Sequence, residues 1–450
     1  MARLGLAVCA VSFHLCLLLS STSSLRLNPT TEDTANHGRR TAYHFQPAKN
    51  WQNDPNGPLY HNGMYHLFYK YNPHSALWDI GNLSWGHFVS GDLLNWAALD
   101  TALDPTSPFD ANGCWSGSAT ILPGGLPAIL YTGIDAGKEQ VQNVAFAKNP
   151  SDPLLREWEK PAYNPVIALP PDVPGDNFRD PSTAWLGRDG LWRIAVSAEV
   201  DGVASTLVYR SEDFVRWERN AAPLHASRAA GMVECPDMFP VAENGEDGLD
   251  TSTNGAGGVR HVLKLSVMDT LQDYYMVGTY DDAADAFSPA EPERGDDCRR
   301  WRRLDYGHTF PRKMWIAKDG KQLLQWPIEE IETLRRKRAA GLRRGTRLGA
   351  GAVQEIVGVA SSQADVEVID HSVVESFGGG GRACITARVY PEHVATSSSH
   401  LYVFNNGSDD VKVAKLEAWD LATATVNVVV GDHHGLAAPA LELEPTRTTQ

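Results

Sequence analysis

Apolar and polar residues alternate along most of this chain, with the two-residue period of a β-strand. Clusters of Gly, Pro, Asn and Asp separate the alternating runs, as expected for turns. In residues 59–69, two aromatic-rich runs flank Asn62 and Gly63, a pair that favours a tight hairpin. A different pattern, Pro-started and amphipathic with acidic residues first and basic residues last, predicts a helical linker over residues 327–345. The patterning as a whole predicts an all-β fold.

A repeated segment divides the first part of the chain into units of similar length. Residues 90–96 read SGDLLNW, residues 211–217 read SEDFVRW, and residues 151–158 form a looser copy, SDPLLREW. The Asp residues of successive copies are 60 and 61 positions apart. This period, filled with short strands, is typical of a propeller blade of four strands. We therefore predict a β-propeller over residues 41–326 and a second, strand-rich domain over residues 346–450.

The N-terminus has the layout of a secretory signal peptide. An apolar run from Leu4 to Leu19 follows a basic residue and precedes a serine-rich stretch, so we expect residues 1–24 to direct export. A membrane anchor is the alternative, but the run is shorter than the ~20 apolar residues that a span needs. Export would make the sequons at Asn82 and Asn406 candidate glycosylation sites.

The composition excludes some classes of partner. The chain has 450 residues, of which 40 are basic and 55 acidic, and the formal net charge of −15 argues against nucleic acid and against an anionic membrane surface. Six cysteines, two of them in the predicted signal peptide, are too few for a disulfide scaffold. No cofactor is predicted, and the isolated pair His433 and His434 lacks the spacing of metal ligands. A neutral substrate fits this charge balance best.

Acidic residues recur with the period of the predicted blades. Residues 51–58 read WQNDPNGP, and at steps of about one period follow WSGS at 115–118, FRDP at 178–181 and ECPD at 234–237. An isolated Asp-Pro-Asn-Gly is most simply a turn. However, the innermost strands of successive blades line a central channel, so a shared register would bring Asp54, Asp180 and Glu234 together. We predict that these three carboxylates face one another.

Aromatic and polar residues around these carboxylates favour a carbohydrate site. Indole faces pack against sugar C–H surfaces, while acids and amides bind hydroxyls. The candidate substrate-binding residues are Trp51, Asn53, Lys70, Trp78, Trp115, Ser116 and Arg179, with Trp85 as a further nearby indole. Glycoside hydrolysis requires two carboxyl groups in different protonation states. We expect Asp54 to stay ionised as the nucleophile, Glu234 to protonate the leaving oxygen with a raised pKa, and Asp180 to hold sugar hydroxyls.

The four motifs together resemble glycoside hydrolase family 32, specifically the plant cell-wall invertases and fructan exohydrolases. The similarity covers residues 41–326 and 369–446, and Pro236 resembles the cell-wall branch. The resemblance implies a five-bladed β-propeller followed by a β-sandwich, in a secreted protein of the apoplast or cell wall. It adds cell-wall polysaccharide as a candidate partner beside the fructoside substrate.

The resemblance also implies retaining hydrolysis of terminal β-D-fructofuranosides. In the family's mechanism the residue matching Asp54 is the nucleophile, that matching Asp180 stabilises the transition state, and that matching Glu234 is the acid/base. These roles agree with those argued from the residues themselves.

The chain departs from the family pattern in its active-site lysine and in its length. The family usually has Gln in the position of Lys70, and a cation there would lower the pKa of a nearby carboxylate. After residue 308 the chain lacks the inner strands of the family's last blade, and after residue 368 it lacks much of the sandwich. We therefore expect an incomplete fifth blade and a truncated sandwich.

A further departure concerns the substrate. Plant invertases of the family have Asp, associated with binding the glucosyl part of sucrose, where this chain has Met268, and typically Lys where it has Leu271. Apolar side chains cannot replace those hydrogen bonds, so we expect a fructan exohydrolase with at most weak sucrose cleavage. A one-residue shift would let Asp269 take that role. The alternatives are a cell-wall invertase and a catalytically impaired homologue that binds fructan or sucrose.

Overall fold

The computed structural model describes residues 40–78, 83–253, 255, 257–291, 301–304, 310–356, 363–365, 368–389, 400–413 and 415–429. These residues form 32 β-strands and one short 3-10 helix, Glu329–Leu334, which confirms the all-β prediction. No helix in this part of the chain is long and apolar enough to cross a membrane. The predicted signal peptide and Asn82, the acceptor of the first sequon, lie outside the described residues.

Four antiparallel sheets follow one another along the chain and form the first four blades. The first contains β1 (Gln52–His61), β2 (Met64–Tyr71), β3 (Ser84–Ser90) and β4 (Trp96–Leu103). The second contains β5 (Cys114–Leu122), β6 (Leu126–Ile134), β7 (Gln140–Ala147) and β8 (Trp158–Glu159). The third contains β9 (Phe178–Arg179), β10 (Trp185–Leu186), β11 (Trp192–Val200), β12 (Val203–Ser211), β13 (Glu218–Arg219) and β14 (His225–Ser227). The fourth contains β15 (Val233–Ala242), β16 (Val259–Val267), β17 (Gln272–Asp281), β18 (Ala286–Pro289) and β19 (Arg302–Leu304).

The fifth blade has the fewest strands among the described residues. In the described residues it consists of two strands, β20 (Arg312–Ile316) and β21 (Leu323–Pro327), as expected for an incomplete blade. Ile316 and Leu323 pack against the fourth blade, in a cluster with Val262 and Val277. Apolar packing on its neighbour therefore holds this two-stranded sheet in the ring, because a lone hairpin is marginally stable in water.

The sequence repeat corresponds to the turn between β3 and β4 in the first blade and between β12 and β13 in the third. In the first blade, the side chains of Ser90 and Asp92 accept hydrogen bonds of 2.7–3.1 Å from backbone N–H groups of the turn. In the third blade, Ser211 and Asp213 do the same at 2.8–3.3 Å. In these two copies the repeat is thus a side-chain-supported turn, which needs short polar residues at the same two places.

The second domain is a reduced sandwich. Its strands are β22 (Arg335–Leu342), β23 (Arg347–Leu348), β24 (Val353–Glu355), β25 (Gln363–Asp365), β26 (Val368–Asp370), β27 (Val373–Gly378), β28 (Ala383–Arg388), β29 (Tyr402–Phe404), β30 (Val411–Lys412), β31 (Leu416–Leu421) and β32 (Val426–Val429). Six of them form one sheet in the order β22-β31-β25-β26-β27-β28, and the pairs β23–β30 and β24–β29 are separate. The last strand, β32, pairs in parallel with β4 and covers the outer edge of the first blade.

The predicted helical linker over residues 327–345 is wrong for most of its length. Only the six residues of the 3-10 helix are helical, and the basic residues after it form β22, which pairs with β31. Lys337 lies opposite Asp420, and Arg338 contacts Glu417 at 3.6 Å. Pairing with an oppositely charged strand outweighs the local helical pattern.

A buried polar cluster joins the N-terminal segment, the fifth blade and the second domain. His44 contacts Asp370 through Nδ1 and Glu375 through Nε2, both at 2.8 Å, and Arg312 donates to Glu375 at 2.7 Å. Burial opposes the charged imidazolium, but the two carboxylates outweigh it and raise the pKa of His44. Each buried charge in the cluster thus has an opposite charge as its partner.

Candidate active site

The four sequence motifs lie on the first strands of the first four blades. Three of these strands are bulged at the motif. The pairing shifts between Asn53 and Pro55 in β1, between Cys114 and Gly117 in β5, and between Glu234 and Asp237 in β15. A bulge bends the strand and turns a side chain out of the regular alternation, and bulges are frequent beside active sites. The period seen in the sequence therefore reflects bulges at matching places in three of these four strands.

The backbone at the motifs is also strained. Asp54, Asp180 and Cys235 adopt positive φ angles of 35°, 65° and 46°. Asp tolerates this region better than most residues, but a cysteine rarely adopts it, and such conformations cluster at functional sites. In β5, a Cβ at Gly117 would lie 2.0 Å from the carbonyl oxygen of Leu130, so only glycine permits this approach of β6.

Asp54 is anchored through one of its carboxylate oxygens. Its Oδ2 accepts hydrogen bonds from Lys70 Nζ at 2.8 Å and Ser116 Oγ at 2.7 Å, while Oδ1 accepts one from the exposed amide of Asn53 at 3.0 Å. Burial favours the neutral acid, but Lys70, Ser116 and the more distant Lys264 outweigh it and lower the pKa of Asp54 to about 2. Asp54 is thus ionised at all but the most acidic pH.

Glu234 has the opposite electrostatic environment. Burial and the nearby charge of Asp180 raise its pKa, although Arg179 opposes them through a contact of 2.8 Å between Nε and Glu234 Oε1. The same Nε lies 3.9 Å from Asp180 Oδ2. Two carboxyl groups whose pKa values are pushed apart, one ionised and one able to hold a proton, are the pattern of an acid and a nucleophile.

Asp180 is buried, and only one of its two carboxylate oxygens has a hydrogen-bond partner among the described residues. Its Oδ2 accepts a hydrogen bond from the Cys235 backbone N–H at 3.0 Å, and its own N–H donates to Thr132 Oγ1 at 2.8 Å. Its Oδ1 is buried without a hydrogen-bond partner among the described residues. Buried polar atoms are normally paired, so this oxygen is an acceptor available to a ligand hydroxyl.

The predicted indoles divide into a site group and a core residue. Trp78 is half exposed, and its ring centroid lies 6.3 Å from that of Trp115, at an interplanar angle of 61°. Trp51 is half-buried at the start of β1. Trp85, by contrast, is fully buried and donates from Nε1 to the Trp115 carbonyl at 2.8 Å. Trp85 therefore supports the strand that carries Trp115, and the prediction that it borders the site is corrected.

Two charged residues near the site were not predicted. Burial raises the pKa of Asp237 to about 6, although Lys264 opposes it. Lys264 donates to Ser266 Oγ at 2.9 Å and lies 3.3 Å from Asp273. The sequence does carry a signal for each residue. Asp237 is the last residue of the ECPD motif, and Lys264 is a lysine between apolar residues at the centre of β16.

The structure thus brings together the three carboxylates that the sequence pairs by period. Burial opposes the charged form of Lys70, but Asp54 and Asp180 outweigh it and raise the pKa of Lys70. Lys70 in turn opposes the rise in the pKa of Glu234. Ser116 and Arg179 each bind one of the carboxylates directly. Of the predicted glycosylation sites, Asn406 is exposed in a turn.

This arrangement, at the inner strands of a propeller and beside indoles that are exposed or half-buried, has what is needed to cut a glycosidic bond, and it defines the class as the glycoside hydrolases. Residues 44–327 match the Glycosyl hydrolases family 32 N-terminal domain, and residues 366–420 match the Glycosyl hydrolases family 32 C terminal. The chain belongs to glycoside hydrolase family 32.

Individual relatives are similar over most of their length. The chain is 71% identical to beta-fructofuranosidase, insoluble isoenzyme 7, of Oryza sativa subsp. indica, with 100% of each chain covered. It is 52% identical to fructan 6-exohydrolase of Triticum aestivum, with 96% of this chain and 100% of the relative covered. Among solved structures, fructan 1-exohydrolase IIa from Cichorium intybus superimposes with a TM-score of 0.82 at 36% identity, over 87% of this chain and 98% of that one.

The alignment with the rice relative also measures the shortening. It spans 597 positions, whereas this chain has 450 residues, so at least 147 positions, the difference between the two, are gaps on this chain's side. The two-stranded fifth blade and the small sandwich agree with gaps of this size.

Proposed function

We propose that this chain is a retaining β-fructofuranosidase that removes terminal, non-reducing β-D-fructofuranosyl units and acts on fructans in preference to sucrose. The observation that carries this proposal is that the site holds both an ionised Asp54 and Glu234, a glutamate of raised pKa. Membership of family 32, with relatives named as β-fructofuranosidases and fructan exohydrolases, supports the sugar assignment.

The proposed reaction is a double displacement. Asp54 attacks C2 of the fructosyl unit while Glu234 gives its proton to the leaving oxygen, so the glycosidic bond breaks as the ester bond forms. Water then attacks C2 and returns a proton to Glu234, and the electron pair of the ester bond returns to Asp54. Asp180, through its unpaired Oδ1, would bind sugar hydroxyls and stabilise the positive charge that develops on the ring.

The remaining site residues would hold the sugar. Trp51, Trp78 and Trp115 offer indole faces for its C–H surfaces, and Asn53 offers an exposed amide for a hydroxyl. Arg179 would keep Glu234 in position for proton transfer.

Two exposed apolar residues favour fructan over sucrose. Met268 and Leu271 lie in the turn between β16 and β17, and are 38% and 85% exposed. The preceding Val267 pairs with Val233, so the turn lies at the end of the fourth blade that carries Glu234, the leaving-group side. Neither side chain can bind the hydroxyls of a glucosyl unit, whereas a fructan chain has no need of such a glucose-specific contact.

Asp269, the acid that follows Met268, packs against the backbone. A Cβ at Gly231 would lie 2.6 Å from Asp269 Oδ2, so this carboxylate packs against the Gly231 backbone. That packing argues against the one-residue shift by which Asp269 would replace the missing acid.

We also propose export to the cell wall. The N-terminal apolar run, the exposed sequon at Asn406 and the relatives named as insoluble isoenzymes support it. The proposed partner beside the substrate is then cell-wall polysaccharide.

The second candidate function is binding without catalysis. The two-stranded fifth blade favours it, because a shortened ring holds its active site less rigidly.

The two functions are separated by incubating the purified protein with sucrose, inulin-type and levan-type oligomers, and measuring free fructose and calorimetric binding in parallel. We expect fructose to be released from the fructans, with sucrose cleaved weakly or not at all. Calorimetric binding without any fructose would instead support the binding protein.

A further inference from the structure

We propose that Lys70 is a positioning residue that holds the nucleophile by one oxygen and shortens the lifetime of the covalent fructosyl-enzyme. This inference rests on the proposed function. It assigns to Lys70 a role toward Asp54 instead of a direct role in binding substrate.

The fold gives Lys70 no freedom to point elsewhere. It lies on β2 directly opposite Asn53, beside the bulge that carries Asp54, and is only 9% exposed. Its Nζ lies 2.8 Å from Asp54 Oδ2 and 5.2 Å from the ring centroid of Trp115. The ammonium is thus enclosed between the carboxylate and the indole, and the carboxylate is its charged partner.

This contact distinguishes the two oxygens of the nucleophile. Oδ2 accepts from both Lys70 and Ser116, whereas Oδ1 accepts only from the exposed Asn53 among the described residues. An oxygen held by an ammonium and a hydroxyl has its lone pairs engaged. Oδ1 is therefore the oxygen that attacks C2, and Lys70 sets its direction.

The charge of Lys70 acts oppositely on the two steps. In the first step the carboxylate becomes an ester and loses its charge, so a cation in contact with the carboxylate raises the barrier. In the second step water attacks C2, the ester bond breaks and the electron pair returns to Asp54, so the same cation stabilises the leaving carboxylate. Lys70 thereby keeps the covalent intermediate from accumulating.

Other charged or titratable groups lie near Lys70 and Asp54, but none that the structure describes replaces Lys70. These groups are Lys264 on β16, Asp180 and Arg179 at the end of β9, and Glu234 and Cys235 on β15. Lys264 is itself paired with Asp273. Removal of Lys70 therefore leaves Asp54 without a cation in contact among the residues that the structure describes.

The first test compares pH profiles of kcat/KM on a fructan oligomer for the native protein, Lys70→Gln and Lys70→Arg. Lys70 holds the pKa of Asp54 at about 2, so without it the pKa rises and the acid limb moves to higher pH. At pH 3 the ionised fraction would fall from about 0.9 to about 0.14 if the pKa returned to ~3.8, a loss of about sevenfold or more relative to pH 5. We expect Lys70→Arg to keep the native limb.

The second test measures the intermediate itself. With an aryl β-fructofuranoside, whose good leaving group speeds the first step, quenched reactions are analysed by intact-protein mass spectrometry. We expect Lys70→Gln to accumulate fructosyl-enzyme, and the native protein and Lys70→Arg to show little. Lys148→Gln, which removes an exposed lysine paired with Glu157, is the matched control and should behave as the native protein.

The outcomes separate this inference from the proposed function. An active native protein whose acid limb and intermediate level are unchanged in Lys70→Gln overturns the role of Lys70 alone. A native protein that releases no fructose overturns the proposed function instead. Lys70→Met, similar in length and uncharged, gives the same two readouts if the Gln variant does not fold.

Discussion

Asp54→Asn and Glu234→Gln should each abolish turnover of fructan while leaving the fold intact. An amide in place of Asp54 cannot form the ester at C2, so the first step has no nucleophile. An amide in place of Glu234 cannot protonate the leaving oxygen, which lowers kcat by about 10²–10⁴-fold. Both changes preserve side-chain shape, so thermal melting should be close to that of the native protein.

An activated substrate distinguishes the two roles. An aryl β-fructofuranoside needs no proton on its leaving group, so Glu234→Gln should still complete the first step. It should release the phenol only once per active site, because the second step needs Glu234 to accept a proton from water. Asp54→Asn should release none. Asp100→Asn, which changes an exposed acid on the outer strand β4, is the matched control and should keep native rates. Substantial fructan turnover by Asp54→Asn would contradict the assignment.

The double variant Met268→Asp with Leu271→Lys should shift specificity toward sucrose. It supplies two hydrogen-bonding groups at the leaving-group side, each worth about 1–1.5 kcal/mol to a substrate hydroxyl. We expect the ratio of kcat/KM for sucrose to kcat/KM for inulin-type oligomers to rise by about 30- to 150-fold. The measurement is initial-rate fructose release on both substrates for native and variant protein.

A control for the surface change itself is available in the second domain. Val353 and Ile385 are also exposed apolar residues, and Val353→Asp with Ile385→Lys introduces the same two charged residues in the second domain. That variant should keep the native ratio. A native protein that prefers sucrose, with no gain in the Met268 and Leu271 variant, would make the chain an invertase.

The sequence predicts the site better than it predicts the domain junction. Asp54, Asp180 and Glu234 could be grouped because each blade repeats the same strand and turn, so equal spacing in sequence becomes proximity in space. Ser116 and Arg179 follow from the same register, since each is adjacent to a motif position that faces the channel. Periodicity therefore carries tertiary information in a propeller.

The failures have one physical cause, which is pairing between distant parts of the chain. The residues of β22 have a helical charge pattern, and only the acidic strand β31, far along the chain, makes them a strand. Lys264 lies between two leucines at the centre of β16, and its relation to the site depends on how β16 lies beside β15. Trp85 is indistinguishable in sequence from the site indoles until its burial is known.

The most direct test of the double displacement at Asp54 and Glu234 is the configuration of a trapped product. The native protein is incubated with an inulin-type oligomer in the presence of methanol, and the methyl fructofuranoside formed is followed by NMR before it is itself hydrolysed. Two displacements at C2 predict the methyl β-fructofuranoside, with the configuration of the substrate retained. Formation of the α-anomer as first product would show a single displacement and contradict the role given to Asp54.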